Sequence, residues 1–153
     1  MGEFFASIDC VLLGRKTYEF AVGYNQPPKK SKPKKRKASM GLGMKSYVFS
    51  TTRKATPDDD FELVSENAGD FVRKLKRESG KDIWLMGGGN LAGTLLNEGV
   101  VDEISLNIHP VLLGEGIPLF GELNSQVNLE LFASKAHKNG CVQVDYRVTE
   151  IDR

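Results

Sequence analysis

The chain has 153 residues, 40% hydrophobic and 27% charged, with a formal net charge of +1. That length suits one domain with a sizeable core, and the composition is ordinary for a globular protein in water. No apolar run approaches the roughly 20 residues that cross a bilayer, and Met1 to Asp9 lack the basic start and long apolar middle of a signal peptide. Cys10 and Cys141, without a secretion signal, read as buried reduced thiols. The expectation is a cytoplasmic protein with no membrane partner.

Taken in order, Glu3 to Ile8 reads as the last turns of a helix. Cys10 to Leu13 is uniformly apolar and ends at Gly14, the pattern of a strand buried on both faces. Arg15 to Val22 then reads as a short helix with Tyr18 and Val22 on one face. Residues 25–44 hold Pro27, Pro28, Pro33 and the run Lys29 to Lys37, so the expectation is a disordered basic loop within a single domain spanning 1–153. That run carries seven of the 21 basic residues, and without it the balance is +1 − 7 = −6. A like-charge block is usually a solvated loop. No aromatic residue interrupts it to stack on bases, which makes nucleic acid an unlikely partner.

Lys45 to Ser50 alternates as a strand does and leads into Ser50, Thr51, Thr52, Arg53 and Lys54. Hydroxyls followed by cations suit a phosphate, since Arg can donate two parallel hydrogen bonds. Asp58 to Ser65 reads as a short strand, and Asp70 to Glu78 as an amphipathic helix with Phe71 and Leu75 inward and Gly80 at its C-terminal turn. Ile83 to Met86 repeats the buried-strand pattern and stops at Gly87, Gly88 and Gly89, after which Leu91, Leu95 and Leu96 recur at helical spacing. Glycines at a strand-to-helix junction let a ligand approach the backbone, and the free amides and dipole of the helix start favour an anion. The sequence lacks both the G-x-G-x-x-G dinucleotide fingerprint and the Gly-Lys-Ser/Thr of a P-loop.

Val101 to His109 reads as a strand, Pro110 to Phe120 as an apolar structured loop, and Asn128 to Ala136 with Cys141 to Ile151 as an antiparallel pair. Asn139-Gly140 is the favoured type I′ turn between them. The strand–glycine–helix arrangement thus occurs at Gly14 and again at Gly87, and two parallel strands would set both turns along one edge of a mixed sheet. His109 and His137 have no partner at ligand spacing, and no C-x-x-C is present, so no metal site is expected. His109, before a proline, reads as structural. Glu115, between two glycines, is a possible exposed acid without a visible partner. What survives is a phosphate-binding edge of three loops, Gly14 to Thr17, Ser50 to Arg53 and Gly87 to Ala92, fit for an extended ligand such as a dinucleotide.

Leu13-Gly14-Arg15-Lys16-Thr17-Tyr18-Glu19, Val48-Phe49-Ser50 and Gly87-Gly88-Gly89-Asn90-Leu91 resemble, in order and spacing, the dihydrofolate reductase-like superfamily. Val101 to Phe120, with Val-Asp-Glu, His-Pro and Leu-Leu-Gly-Glu-Gly-Ile-Pro-Leu-Phe, is most similar to its riboflavin-biosynthesis reductase (RibD C-terminal domain) branch. The resemblance implies a three-layer α/β fold, with a mixed, mostly parallel sheet, helices on both faces and a C-terminal antiparallel hairpin. It implies an NADPH-dependent reductase that transfers a hydride to a pteridine- or pyrimidine-like small-molecule substrate. A homodimer is implied as well. The alternative is a dinucleotide-binding module without catalysis, and behind it a nucleic-acid-associated protein using Lys29–Lys37.

Carried over, Gly14, Arg15, Lys16 and Thr17 would hold cofactor phosphates, and Ser50, Thr51 and Arg53 would lie near the adenosine 2′-phosphate. Gly87, Gly88, Gly89, Asn90, Leu91 and Ala92 would face the pyrophosphate. The resemblance assigns no catalytic residue. The family's first strand, which carries a Ser-Leu-Asp-Gly-like segment, has no counterpart here, and its absence would leave two strand edges unpaired.

Overall fold

The computed structural model describes residues 2–24, 44–56, 59 and 61–151. The basic run Lys29–Lys37 and the loop expected at 25–44 lie almost entirely outside them. Eleven elements follow one another: α1 (Gly2–Ala6), β1 (Ile8–Gly14), α2 (Arg15–Tyr24), β2 (Lys45–Phe49), β3 (Glu62–Val64), α3 (Ala68–Leu75), β4 (Asp82–Gly87), α4 (Gly89–Asn97), β5 (Glu103–Ile108), β6 (Val127–Ala136) and β7 (Val142–Ile151).

The parallel and antiparallel parts form two sheets. One is parallel, with strand order β3-β2-β1-β4; the other is antiparallel, with order β5-β7-β6. The strand β1 is central in the first sheet and apolar on both faces, as a strand between two helical layers must be. Cys10 and Leu12 join Tyr47, Val64, Val72, Leu95 and Val100 in one core, beneath α3 and α4. Val11 and Leu13 point the other way and join Val48 and Tyr18, which α2 supplies. Phe4 and Phe5 of α1 meet Trp84 of β4 edge-on at 5.4 and 5.8 Å between ring centroids. Each of β4 and β5 is paired on one side only among the described residues.

Local signals explain most element ends, with four differences, two of them at α3. The helix α3 begins two residues earlier than its periodicity suggests, because Asn67 caps it: its Oδ1 accepts the Asp70 N–H at 2.9 Å. It closes at Lys76 in a right-handed conformation, so Gly80 does not terminate it. Only Glu62–Val64 of the expected Asp58–Ser65 segment pairs as a strand. The hairpin between β6 and β7 is not type I′, which needs positive φ at both central residues. Gly140 alone has positive φ, 85°, and its N–H donates to the His137 carbonyl at 2.9 Å. That is a type I turn closed by a glycine bulge, and His137 N–H to Cys141 O at 2.8 Å completes it.

Candidate functional site

Parallel pairing brings the three expected loops to one edge. Gly14 lies opposite Phe49 of β2, and Leu13 lies opposite Gly87 of β4, so the tips of β2, β1 and β4 stand side by side. A Cβ placed on Gly14 would sit 3.5 Å from the Gly88 nitrogen and 3.8 Å from the Gly87 carbonyl oxygen. One on Gly88 would meet the Thr17 hydroxyl at 3.0 Å. The two strand–glycine–helix turns therefore touch through bare backbone. Gly87, with φ of 129°, occupies a region that side chains rarely enter.

Gly88 is the N-cap of α4 and offers no side chain to the first amides of the helix. These donors, with the dipole behind them, suit an anion. Gly87 to Gly89 and Leu91 are half-buried, Asn90 is exposed and Ala92 is buried. Leu91 packs against the core, so Leu91 and Ala92 can offer a ligand backbone rather than side chains. Gly89 has a different partner from the one its position suggests. A Cβ there would lie 2.8 Å from the Leu119 carbonyl oxygen, and one on Gly93 would lie 3.1 Å from the backbone of Gly121. The Gly121 N–H donates to the Gly89 carbonyl at 2.8 Å. These two glycines admit the Pro118–Gly121 segment against α4, a contact that needs tertiary structure to be seen.

The second side of the edge carries charge. Ser50 Oγ accepts the Arg53 and Thr52 amides at 3.1 and 3.3 Å and so shapes its loop. Arg53 Nη2 donates to Asp59 Oδ1 at 2.6 Å, and its guanidinium lies 5.0 and 5.6 Å from the rings of Phe61 and Tyr18. Its Nε is buried without a hydrogen-bond acceptor among the described residues. Burial pushes the Asp59 carboxyl up, but hydrogen bonds from Thr56 and Arg53 and the Arg53 charge outweigh it and hold that carboxyl below its usual range. Arg15 reaches across from α2: Nε donates to Glu19 at 2.7 Å and Nη1 to the Thr52 hydroxyl at 3.0 Å. Lys16, Thr51 and Lys54 are exposed beside them. Nothing in the sequence singled out Asp59. Glu19 could have been found from its i+4 spacing to Arg15.

Two concavities, of about 330 and 190 Å³, lie away from this edge, around Asp102, Glu103 and Arg147 and around Glu62 and Phe71. Among the described residues no three His, Cys, Asp or Glu side chains gather as a metal site would require. Among the described residues no helix is long and apolar enough to cross a membrane. His109 is engaged with Cys141, Nδ1 to Sγ at 3.3 Å, far along the chain from all three loops.

Comparison with known proteins places the chain in a family. Residues 1–143 match the RibD C-terminal domain. The chain belongs to the RibD C-terminal domain family. It is 40% identical over 146 residues to the uncharacterized protein YyaP of Bacillus subtilis (strain 168), covering 94% of this chain and 76% of that one. Among solved structures, a putative riboflavin biosynthesis protein from Shewanella sp. PV-4 superposes with a TM-score of 0.78 at 23% identity, covering 98% of this chain and 79% of that one. A pyrimidine reductase-like protein from Corynebacterium diphtheriae gives 0.61 at 19% identity, covering 93% and 76%. These two likenesses establish the fold. The RibD C-terminal domain family thus supplies the frame in which the three strand tips are arranged.

Proposed function

We propose that this RibD C-terminal domain protein is an NADPH-dependent reductase of the riboflavin-biosynthesis type, passing a hydride to a pyrimidine- or pteridine-like ring, and that it acts as a homodimer. One observation carries the reading. Gly14 and Gly88 meet without side chains at neighbouring parallel strand tips, beside a helix start that has no capping side chain. A dinucleotide's pyrophosphate needs such a place, where backbone can come close and N–H groups are available.

Gly14, Thr17 and the Gly87–Asn90 turn would hold the pyrophosphate. The hydroxyls and cations of Arg15, Ser50, Thr51 and Arg53 would hold the ribose phosphate, and the buried unpartnered Nε of Arg53 fits an anionic neighbour. The bound cofactor would supply the hydride, and the protein would contribute position and shelter from water. Support for the dimer comes from the apolar surface: Val111, Leu112, Leu113 and Ile117 in one loop and Leu131 and Phe132 in β6 are all exposed, and clustered exposed apolar residues mark contact surfaces.

The test is Gly88→Val. Its φ of −83° and ψ of 179° suit any residue, so the variant should fold. The added methyls crowd Thr17 and fill the junction, and NADPH affinity should fall by at least ~10-fold, followed by fluorescence of Trp84, the single tryptophan. Unchanged affinity in the folded variant would remove the basis of the assignment. A screen of pyrimidine and pteridine substrates against NADPH oxidation then addresses turnover.

A further inference from the structure

Two guanidiniums from different elements converge on one carboxylate. Glu19 Oε1 accepts Arg15 Nε at 2.7 Å and lies 3.9 Å from Arg53 Nη1. The three side chains differ in freedom. Arg53 is 23% exposed, bonded to Asp59 and lies over the adjoining rings of Tyr18 and Phe61, so it is a fixed cation. Arg15 and Glu19 are 46% and 43% exposed and can turn toward solvent. Around them stand the Thr52 hydroxyl, which accepts from Arg15, and the buried Arg53 Nε that has no acceptor among the described residues.

A carboxylate shared by two arginines occupies the place that a phosphate monoester would take, because both present oxygens to the same N–H forks. We infer that Glu19 is a specificity-determining residue: its carboxylate competes with a ribose phosphate for Arg15 and Arg53. It thereby sets how strongly the site prefers a dinucleotide bearing a 2′-phosphate over one without. This rests on the dinucleotide reading above. A dianion entering the cluster must displace Glu19 and then feel its negative charge from a few ångströms away. A dinucleotide without the extra phosphate meets neither obstacle. At a half-exposed site the repulsion is screened but not abolished, worth about 5- to 10-fold in affinity at low salt.

The experiment measures dissociation constants for NADPH and NADH through Trp84 fluorescence, with adenosine 2′-monophosphate as a third probe, at low and high salt. The proteins are the natural chain, Glu19→Gln, and Glu19→Gln combined with Arg53→Ala. Glu19→Gln should tighten NADPH and adenosine 2′-monophosphate by about 5- to 10-fold, leave NADH within about 2-fold, and steepen the salt dependence of the phosphorylated ligands. Adding Arg53→Ala should remove the gain. Equal movement of NADPH and NADH, or weaker NADPH binding in Glu19→Gln, would overturn the inference while leaving the dinucleotide reading intact. Binding of none of the three ligands by any of the proteins would overturn that reading and the inference with it.

Discussion

Leu12 and Leu13 in β1 are 2% and 0% exposed; Leu131 and Phe132 in β6 are 53% and 46% exposed. Both strands are rich in large apolar residues, yet their fates are opposite. The first strand has parallel neighbours on both sides and helices over both faces, so Cys10 to Leu13 are all buried. The second lies at the edge of a three-stranded sheet that contributes no residue to either core cluster. Burial is decided by what covers a strand, not by its composition. The covered sheet is built for rigidity, and its strand tips hold the candidate site. The antiparallel sheet, with β6 largely exposed among the described residues, presents together with the 111–119 loop the surface proposed for a second copy.

The contrast can be broken most severely from its buried side. Leu13→Ala should cost about 2–5 kcal/mol, read from urea unfolding, since a fully enclosed leucine leaves a cavity. A loss below about 1 kcal/mol would mean that the two-faced core is looser than its burial indicates. Gly93→Ala tests the bridge between the regions. Its Cβ would press on the backbone of Gly121 at 3.1 Å, and overpacking of this kind costs roughly 1–3 kcal/mol. Proteolysis in the 118–121 segment should rise in that variant, and an unaltered pattern would detach this loop from α4.

The charge pairs sharpen the comparison further. Asp59 is 10% exposed and bonded to Arg53, whereas Arg147 and Glu103 in the second sheet are 56% and 57% exposed at 4.0 Å. The folded-state pKa of Asp59 is lowered, so its contribution to stability is present above the usual carboxylate range and is lost as pH falls through the lowered value. Asp59→Asn should flatten the acid limb of the stability profile below the usual carboxylate range. An unchanged slope in that variant would place the acid sensitivity elsewhere. The smallest effect is expected at Leu131→Ala, which should change monomer stability by less than about 0.5 kcal/mol. Leu131→Asp should nevertheless weaken self-association in sedimentation equilibrium, and a natural chain that is monomeric at all concentrations would refute the proposed pairing.

Much of the architecture was legible beforehand for a simple reason: short-range signals wrote it. Uniform apolar runs marked β1 and β4, glycines marked their ends, and helical spacing marked α4, so the paired strand–glycine–helix turns could be read as neighbours. Turn geometry was less accessible. Asn139-Gly140 suggested type I′, but the backbone forms a type I turn with Gly140 as the bulge, a choice made by the register of β6 against β7.

The residues of this chain alone determined its strands, its helices, the family it resembles and the row of glycines at the candidate site, because these depend on neighbours within a few positions. Tertiary structure alone decided that Gly89 and Gly93 face the Pro118–Gly121 segment, that Asp59 holds Arg53, and that Glu19 stands between two arginines. It also decided that the strands form two sheets, the first packed on both faces and the second largely exposed along β6 among the described residues. Those outcomes turn on contacts between residues distant in sequence, and such contacts exist only once the chain has closed on itself.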